Sequence, residues 1–239
     1  MGSFSDSSTG QFYITGLNSS TNYTAFLKKK IGYSGNVSPV GGVIFNRLDF
    51  TTNPNNSCSL VFGLDFCSGV AYSVPTSSRF STNKTAIAGI YDNIANSLFS
   101  NFSNALQIIP CDTELDARYS PLRTCVDCSD AYQNWLCGVA IPRCSVNDSD
   151  YFIVRNKKNN RNSYINNDIE PINDYNEVLP CIDICHAIVR DCPSALGFAC
   201  LTREDALLFY SYNYYRKYST VPSCNFIGNF SDLVVVDSR

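Results

Sequence analysis

The chain has 239 residues, 12 cysteines, 44% hydrophobic residues and a net charge of −3. That length suits one large domain, or one domain with a piece of another, and the slightly negative balance argues against a nucleic-acid-binding protein. No run of about 18 apolar residues occurs, so no segment reads as a membrane-spanning helix.

The even cysteine count accompanies eight Asn-x-Ser/Thr sequons, at Asn18, Asn22, Asn36, Asn55, Asn83, Asn101, Asn147 and Asn229. Together they point to the secretory pathway and an oxidising compartment. Met1 is followed by GSFSDSSTGQ, with no basic start and no apolar core of a leader. The expectation is a piece of a longer secreted or membrane-associated protein.

Residues 1–50 are expected to be strands. QFYITGL, YTAFLKKKI and VIFNRLDF are rich in aromatic and β-branched residues, with Gly, Ser and Pro between them. In LNSSTNY, the spacing of Leu17, Thr21 and Tyr23 resembles the turn of fibronectin type III sandwiches where a tyrosine closes a corner. About three strands are too few for a sandwich, so this part reads as the tail of a truncated β-domain, or equally as a hairpin packed on its neighbour. The basic runs Lys28-Lys29-Lys30 and RNKKNNRN (155–162) read as solvated loops.

Residues 51–239 are expected to be mainly helical and disulfide-rich. In 85–109, Ile87, Tyr91, Ile94, Leu98, Phe102 and Ala105 recur at steps of three or four, a buried helical stripe. Asn101 falls near its edge, so either its glycan is crowded or the helix breaks there. Ser129 and Asp130 suit the start of a short helix over 129–137. The Asn-rich stretch between Cys144 and Cys181 reads as a long surface loop. CIDICHAIVRDC (181–192) places Cys181, Cys185, Ile188 and Cys192 on one helical face. Thr202 and Asp205 form a capping box ahead of ALLFYSYNYY.

Three uses of the cysteines compete. Zinc needs four ligands in close pairs, and Cys125-x2-Cys128 with the single histidine, His186, does not supply them. A cysteine nucleophile needs a base, and one histidine in an oxidising compartment makes that poor. GxSxG, HExxH and glycine-rich phosphate loops are absent, so no cofactor is expected and an enzyme is disfavoured. Disulfides remain. Cysteines one turn apart on a helix face cannot usefully bond each other, so each of the three on 181–192 must reach a different element.

CSLVFGLDFCSGVAYSVP (58–75), CSDAYQNWLCGVAIPRC (128–144) and CIDICHAIVRDC resemble the opening, middle and later part of a frizzled-type cysteine-rich domain. The resemblance implies the pairs Cys58–Cys144, Cys67–Cys137, Cys128–Cys192, Cys181–Cys224 and Cys185–Cys200, with Cys111 and Cys125 left to pair with each other. On that pairing, helix 129–137 is a hub, with Trp135 packed inside its framework or, alternatively, binding at the surface. The insert CDTELDARYSPLRTC has no frizzled counterpart. RYSPLRTCVDCSDAYQNWLCGVAIPRC is similar to the signature of the fungal stretch-activated calcium-channel component, the mating-induced-death family. The likeness covers about residues 58 to 225.

That resemblance implies an auxiliary, glycosylated, non-pore subunit on the extracytoplasmic face of the plasma membrane, binding the pore-forming subunit of a fungal calcium channel. The alternative is a frizzled-type receptor or adhesion domain binding a lipid or glycan, which a continuous apolar groove would favour. For the partner surface, the insert offers Arg118, Tyr119, Pro121, Leu122 and Arg123; Arg and Tyr are types enriched at binding hot spots, and a loop closed by its own disulfide loses little entropy on docking. Against this stands the plainer reading that the arginines pair with local acids such as Asp112, Glu114 and Asp116.

Overall fold

A computed structural model describes residues 14, 16–30, 41–52, 57–80, 83–110, 119–145, 151–205, 207–217, 219, 222–228 and 233–234. The chain divides into two compact units, Met1–Asn55 and Asn56–Arg239. The sequence expectation placed that division after residue 50.

In the first unit the chain runs out along β1 (Asn22–Ala25) and β2 (Lys28–Lys30) and returns along β3 (Gly42–Ile44) and β4 (Leu48–Thr51). β1 pairs antiparallel with β4, and β2 with β3. The period of two sorts the residues of the first pair into a polar and an apolar face. On the polar face Thr24 bonds Asp49 (2.6 Å) and Thr51 bonds Asn22 (2.6 Å). On the other, the Tyr23 and Phe50 rings stack at 5.8 Å. The Tyr23 hydroxyl accepts from the Asn18 backbone N–H at 2.8 Å, which closes the turn as the tyrosine spacing suggests. Most of QFYITGL lies outside the described residues.

The second unit opens with the hairpin β5 (Cys58–Val61) and β6 (Tyr72–Pro75). Helix α1 (Lys84–Leu106) starts at Asn83, whose side-chain oxygen accepts from Ala86 N–H. It buries Ile87, Tyr91, Ala95, Phe102 and Leu106, while Leu98 and Ala105 of the expected stripe are exposed. The helix runs unbroken through Asn101, which is exposed, so neither expected conflict arises.

Helix α2 (Cys125–Ala140) begins four residues earlier than expected. A reciprocal Thr124–Asp127 capping box starts it, so Ser129 and Asp130 lie inside the helix. Gly138 lets α3 (Ile182–Asp191) approach: a Cβ there would stand 2.8 Å from Ile184. Beyond α3, the Thr202–Asp205 box closes a turn (3.0 Å between side chains), and the helix that follows, α4 (Leu208–Ser211), is a single turn.

The expected mainly helical fold is not what the chain adopts. Of the described residues 36% are helical and 21% are in strands, a mixed composition. Much of the difference comes from the Asn-rich stretch expected to be a surface loop. It contributes β8 (Phe152–Arg155) and β9 (Tyr175–Val178), which join β7 (Arg143–Ser145) in an antiparallel sheet of order β7-β9-β8. Several of its apolar residues go inside: Ile165, Ile169, Tyr175 and Val178 are buried, while Val154 is exposed. Its asparagines bond both within the stretch and beyond it: the Tyr175 hydroxyl donates to Asn160 at 2.7 Å, and Asn162 donates to the Val139 carbonyl of α2 at 2.8 Å.

The basic run 155–162 is likewise only partly solvated. Lys157 and Lys158 are exposed, but Arg155 and Arg161 are each 13% exposed at the side chain and flank Glu177, which is 1% exposed. Arg155 Nε donates to Glu177 Oε2, and Arg161 Nε lies 3.1 Å from Oε1.

Disulfides join Cys58–Cys144, Cys67–Cys137, Cys128–Cys192, Cys181–Cys224 and Cys185–Cys200, the pairs that the resemblance implies. Cys125 is also disulfide-bonded; Cys111 lies outside the described residues. Trp135 is half-buried, packs against all three apolar clusters of this unit and donates its indole N–H to the Tyr212 hydroxyl at 2.8 Å.

Glu177→Gln removes the charge that two mostly buried guanidiniums share. Denaturant unfolding should show a loss of about 3–5 kcal/mol. Arg47→Gln, which breaks the exposed Arg47–Asp49 pair of the first unit, should leave the midpoint in place.

Candidate partner interface

The start of α2, the end of α3 and the end of the insert meet at one corner of the second unit. The Thr124 hydroxyl accepts from the Asp127 N–H at 3.3 Å, and the Asp127 carboxylate accepts from the Thr124 N–H at 2.7 Å. That backbone hydrogen bond holds the Asp127 carboxyl below the usual carboxylate range. Asp130, one turn on, is pushed up by burial and then by the charge of Asp127.

Two of the expected partner residues, Tyr119 and Arg123, are held at this corner by contacts within the chain. The Tyr119 hydroxyl lies 2.6 Å from the Thr124 carbonyl and 2.9 Å from the Asp191 carbonyl, and burial raises its pKa. Arg123 Nε lies 3.0 Å from Asp191 Oδ1. Asp191 also takes two bonds of 2.6 Å from Arg190, so one nearly buried carboxylate gathers two guanidiniums. The acid that holds Arg123 is therefore on α3. Asp112, Glu114, Asp116 and Arg118 lie outside the described residues.

Among the described insert residues, two apolar ones are exposed. Pro121 is exposed and Leu122 is 86% exposed, and Val126 on the first turn of α2 is 68% exposed. Below them a cleft of about 430 Å³ runs between α2 and α3, lined by Asp127, Asp130, Asn134, Arg190 and Asp191 among others. A smaller cleft of about 170 Å³ continues past Asn134 to the 66–69 turn. Charged and amide side chains share this groove with apolar ones, Ile184, Ala187, Phe226 and Ile227 among them. Among the described residues, no group of three or more His, Cys, Asp or Glu side chains is placed to hold a metal ion. His186 is exposed on α3.

The comparison with known proteins settles the family. Residues 3–230 match the family described as a stretch-activated Ca2+-permeable channel component.

The chain belongs to that family.

It is 54% identical over 237 residues to the stretch-activated cation channel MID1 of Saccharomyces cerevisiae, covering 97% of this chain and 42% of that protein. It is 38% identical over 217 residues to the stretch-activated cation channel yam8 of Schizosaccharomyces pombe, covering 90% and 43%. A MID1 of Cryptococcus neoformans is 26% identical over 215 residues, covering 74% and 33%. The chain thus spans less than half the length of the curated relatives it matches. No solved structure matches it.

Sequence reasoning named Arg123 but missed Asp191. A signal was available: Asp191 immediately precedes Cys192, and the implied Cys128–Cys192 bridge brings that point of α3 beside the residues leading into α2.

Arg123→Ala should lower stability by roughly 1 kcal/mol in urea unfolding, since a half-exposed ion pair is lost while Arg190 still holds Asp191. Leu122→Ala should leave the midpoint unchanged, because that residue is 86% exposed.

Proposed function

We propose that this chain is an extracytoplasmic part of an auxiliary, non-pore subunit of a fungal calcium channel. It binds the pore-forming subunit, supports assembly and calcium influx, and performs no covalent chemistry. Its second unit is a frizzled-like cysteine-rich domain. The observation that carries the reading is the match to a channel-component family over nearly the whole chain, residues 3–230. Supporting it, the disulfide framework belongs to an oxidising compartment, reached through the endoplasmic reticulum. No described helix is long and apolar enough to cross a membrane, and membrane association is assigned to the partner or to segments outside this chain.

The described sequons suggest which side faces away from that partner. In the second unit, Asn83, the cap of α1, and Asn101, near the end of that helix, are both exposed. Glycans there would exclude a protein surface from the outer face of α1. They would leave the α2–α3 corner with Leu122 and Val126 open. The cap at Asn83 tolerates a glycan, because it uses the side-chain oxygen and the sugar attaches through the nitrogen.

Co-purification of the pore-forming subunit with the full-length protein from fungal membranes tests the reading. A Leu122→Asp, Val126→Asp double variant should recover at least tenfold less partner at an unchanged melting temperature. Asn83→Gln and Asn101→Gln should each remove one glycan's worth of electrophoretic mobility and leave partner recovery intact. A wild-type protein that brings down no pore-forming subunit would refute the assembly reading.

A further inference from the structure

A second cavity, of about 570 Å³, lies on the far end of α2 from the insert, between that helix, the Cys185–Cys200 bridge and the 199–212 segment. Its wall includes Trp135, Val139, Leu201 and Tyr212, and its charged residues are Arg155 and Arg161. None of the described lining residues carries a carboxylate.

The charge balance at this wall is unequal. Both guanidiniums are mostly buried and share the single carboxylate of Glu177 behind them. Their remaining described contacts are neutral carbonyls: Arg155 Nη2 donates to Tyr210 O and Arg161 Nη2 to Ser211 O, each at 2.8 Å. Two positive charges and one negative leave a net positive charge beside an open cavity, where low local dielectric strengthens its field. Burial presses on Arg161 in the direction of losing its proton, as expected where compensation is incomplete. Tyr210 of the lining is 63% exposed, and near it in the chain Leu207 and Phe209 are 65% and 59% exposed. An arginine-floored cavity with an aromatic rim has the composition of a binding hot spot.

We propose that this cavity receives a carboxylate side chain from an extracytoplasmic loop of a second channel subunit, with Arg155 and Arg161 as its cationic floor and the Leu207–Tyr210 rim taking an adjoining apolar residue. The inference rests on the assembly reading for its partner, but the chemistry of the cavity is testable without one.

Trp135 is the one tryptophan of the chain and lines the cavity, so its fluorescence reports on the site directly. The purified full chain is titrated with N-acetylphenylalanine as the anion and, separately, with the uncharged N-acetylphenylalaninamide. The anion should give a saturable change that weakens with added salt, and the amide should bind about tenfold more weakly, the loss expected for one charge-assisted contact. Equal responses to the two probes, or no response to either, would overturn the proposal. Leu201→Glu places a carboxylate of the protein's own at the wall and should abolish the anion response. Tyr210→Ala, at an exposed rim position, should weaken it severalfold with the melting temperature unchanged. In the full-length protein, Leu201→Glu should also reduce recovery of channel partners. If wild type recovers partners and Leu201→Glu recovers them equally, the cavity is not the contact and the assembly reading stands without it. If wild type recovers none, the assembly reading itself has failed, and this inference with it.

Discussion

The second unit depends on one constraint: disulfides tie α2 and the residues just beyond it to the end of α3 and to the β5 region, and Cys125 at the start of α2 is bridged as well. Cys128 binds the end of α3, Cys137 binds the turn after β5, and Cys144 ties β7 to β5. Each bridge closes a long loop and so removes many conformations from the unfolded chain. By general experience each contributes about 2–4 kcal/mol, without additivity. The consequence for the fold is positional. With both ends of α2 held, Trp135 has one place to go, and it fills the junction of the three apolar clusters.

A second constraint shapes the polar half of the unit. Glu177 on β9 is buried between Arg155 on β8 and Arg161 in the turn that follows. Removing three charges from water is expensive, and their mutual attraction offsets that cost only in a narrow geometry. Such a group is a poor source of net stability but a good selector of register. A one-residue slip of β8 against β9 would turn Arg155 to the other face and leave Glu177 buried without it. This is a physical reason for an asparagine-rich stretch to hold a defined sheet.

These two constraints give a rigid body with different surfaces at its two ends. At the insert end, Tyr119 and Arg123 anchor the loop and an apolar tip projects from it. At the other end, an arginine-floored cavity carries an aromatic rim. Among the described residues, no group of three or more His, Cys, Asp or Glu side chains gathers at either surface. Under the assembly reading, preorganisation is what such a scaffold offers a partner: surfaces held by disulfides lose little entropy on docking.

Local signals in the sequence determined much of this by themselves. Helical periodicity placed α1, because buried positions on a helix must recur at 3.6 residues. The cysteine spacing, through the likeness to frizzled domains, anticipated which cysteines meet, and the tyrosine of LNSSTNY anticipated its turn. Tertiary structure decided the rest. Ser129 and Asp130 suit a helix start in sequence, but in the fold α2 starts at the Thr124–Asp127 box. The strands of 152–178 were hidden because composition reports averages, whereas burial depends on a few residues such as Ile165, Ile169 and Glu177. Which arginines are solvated and which are structural was also beyond the sequence. An ion pair such as Arg123–Asp191 joins residues far apart in the chain, and only the folded path brings their charges within reach.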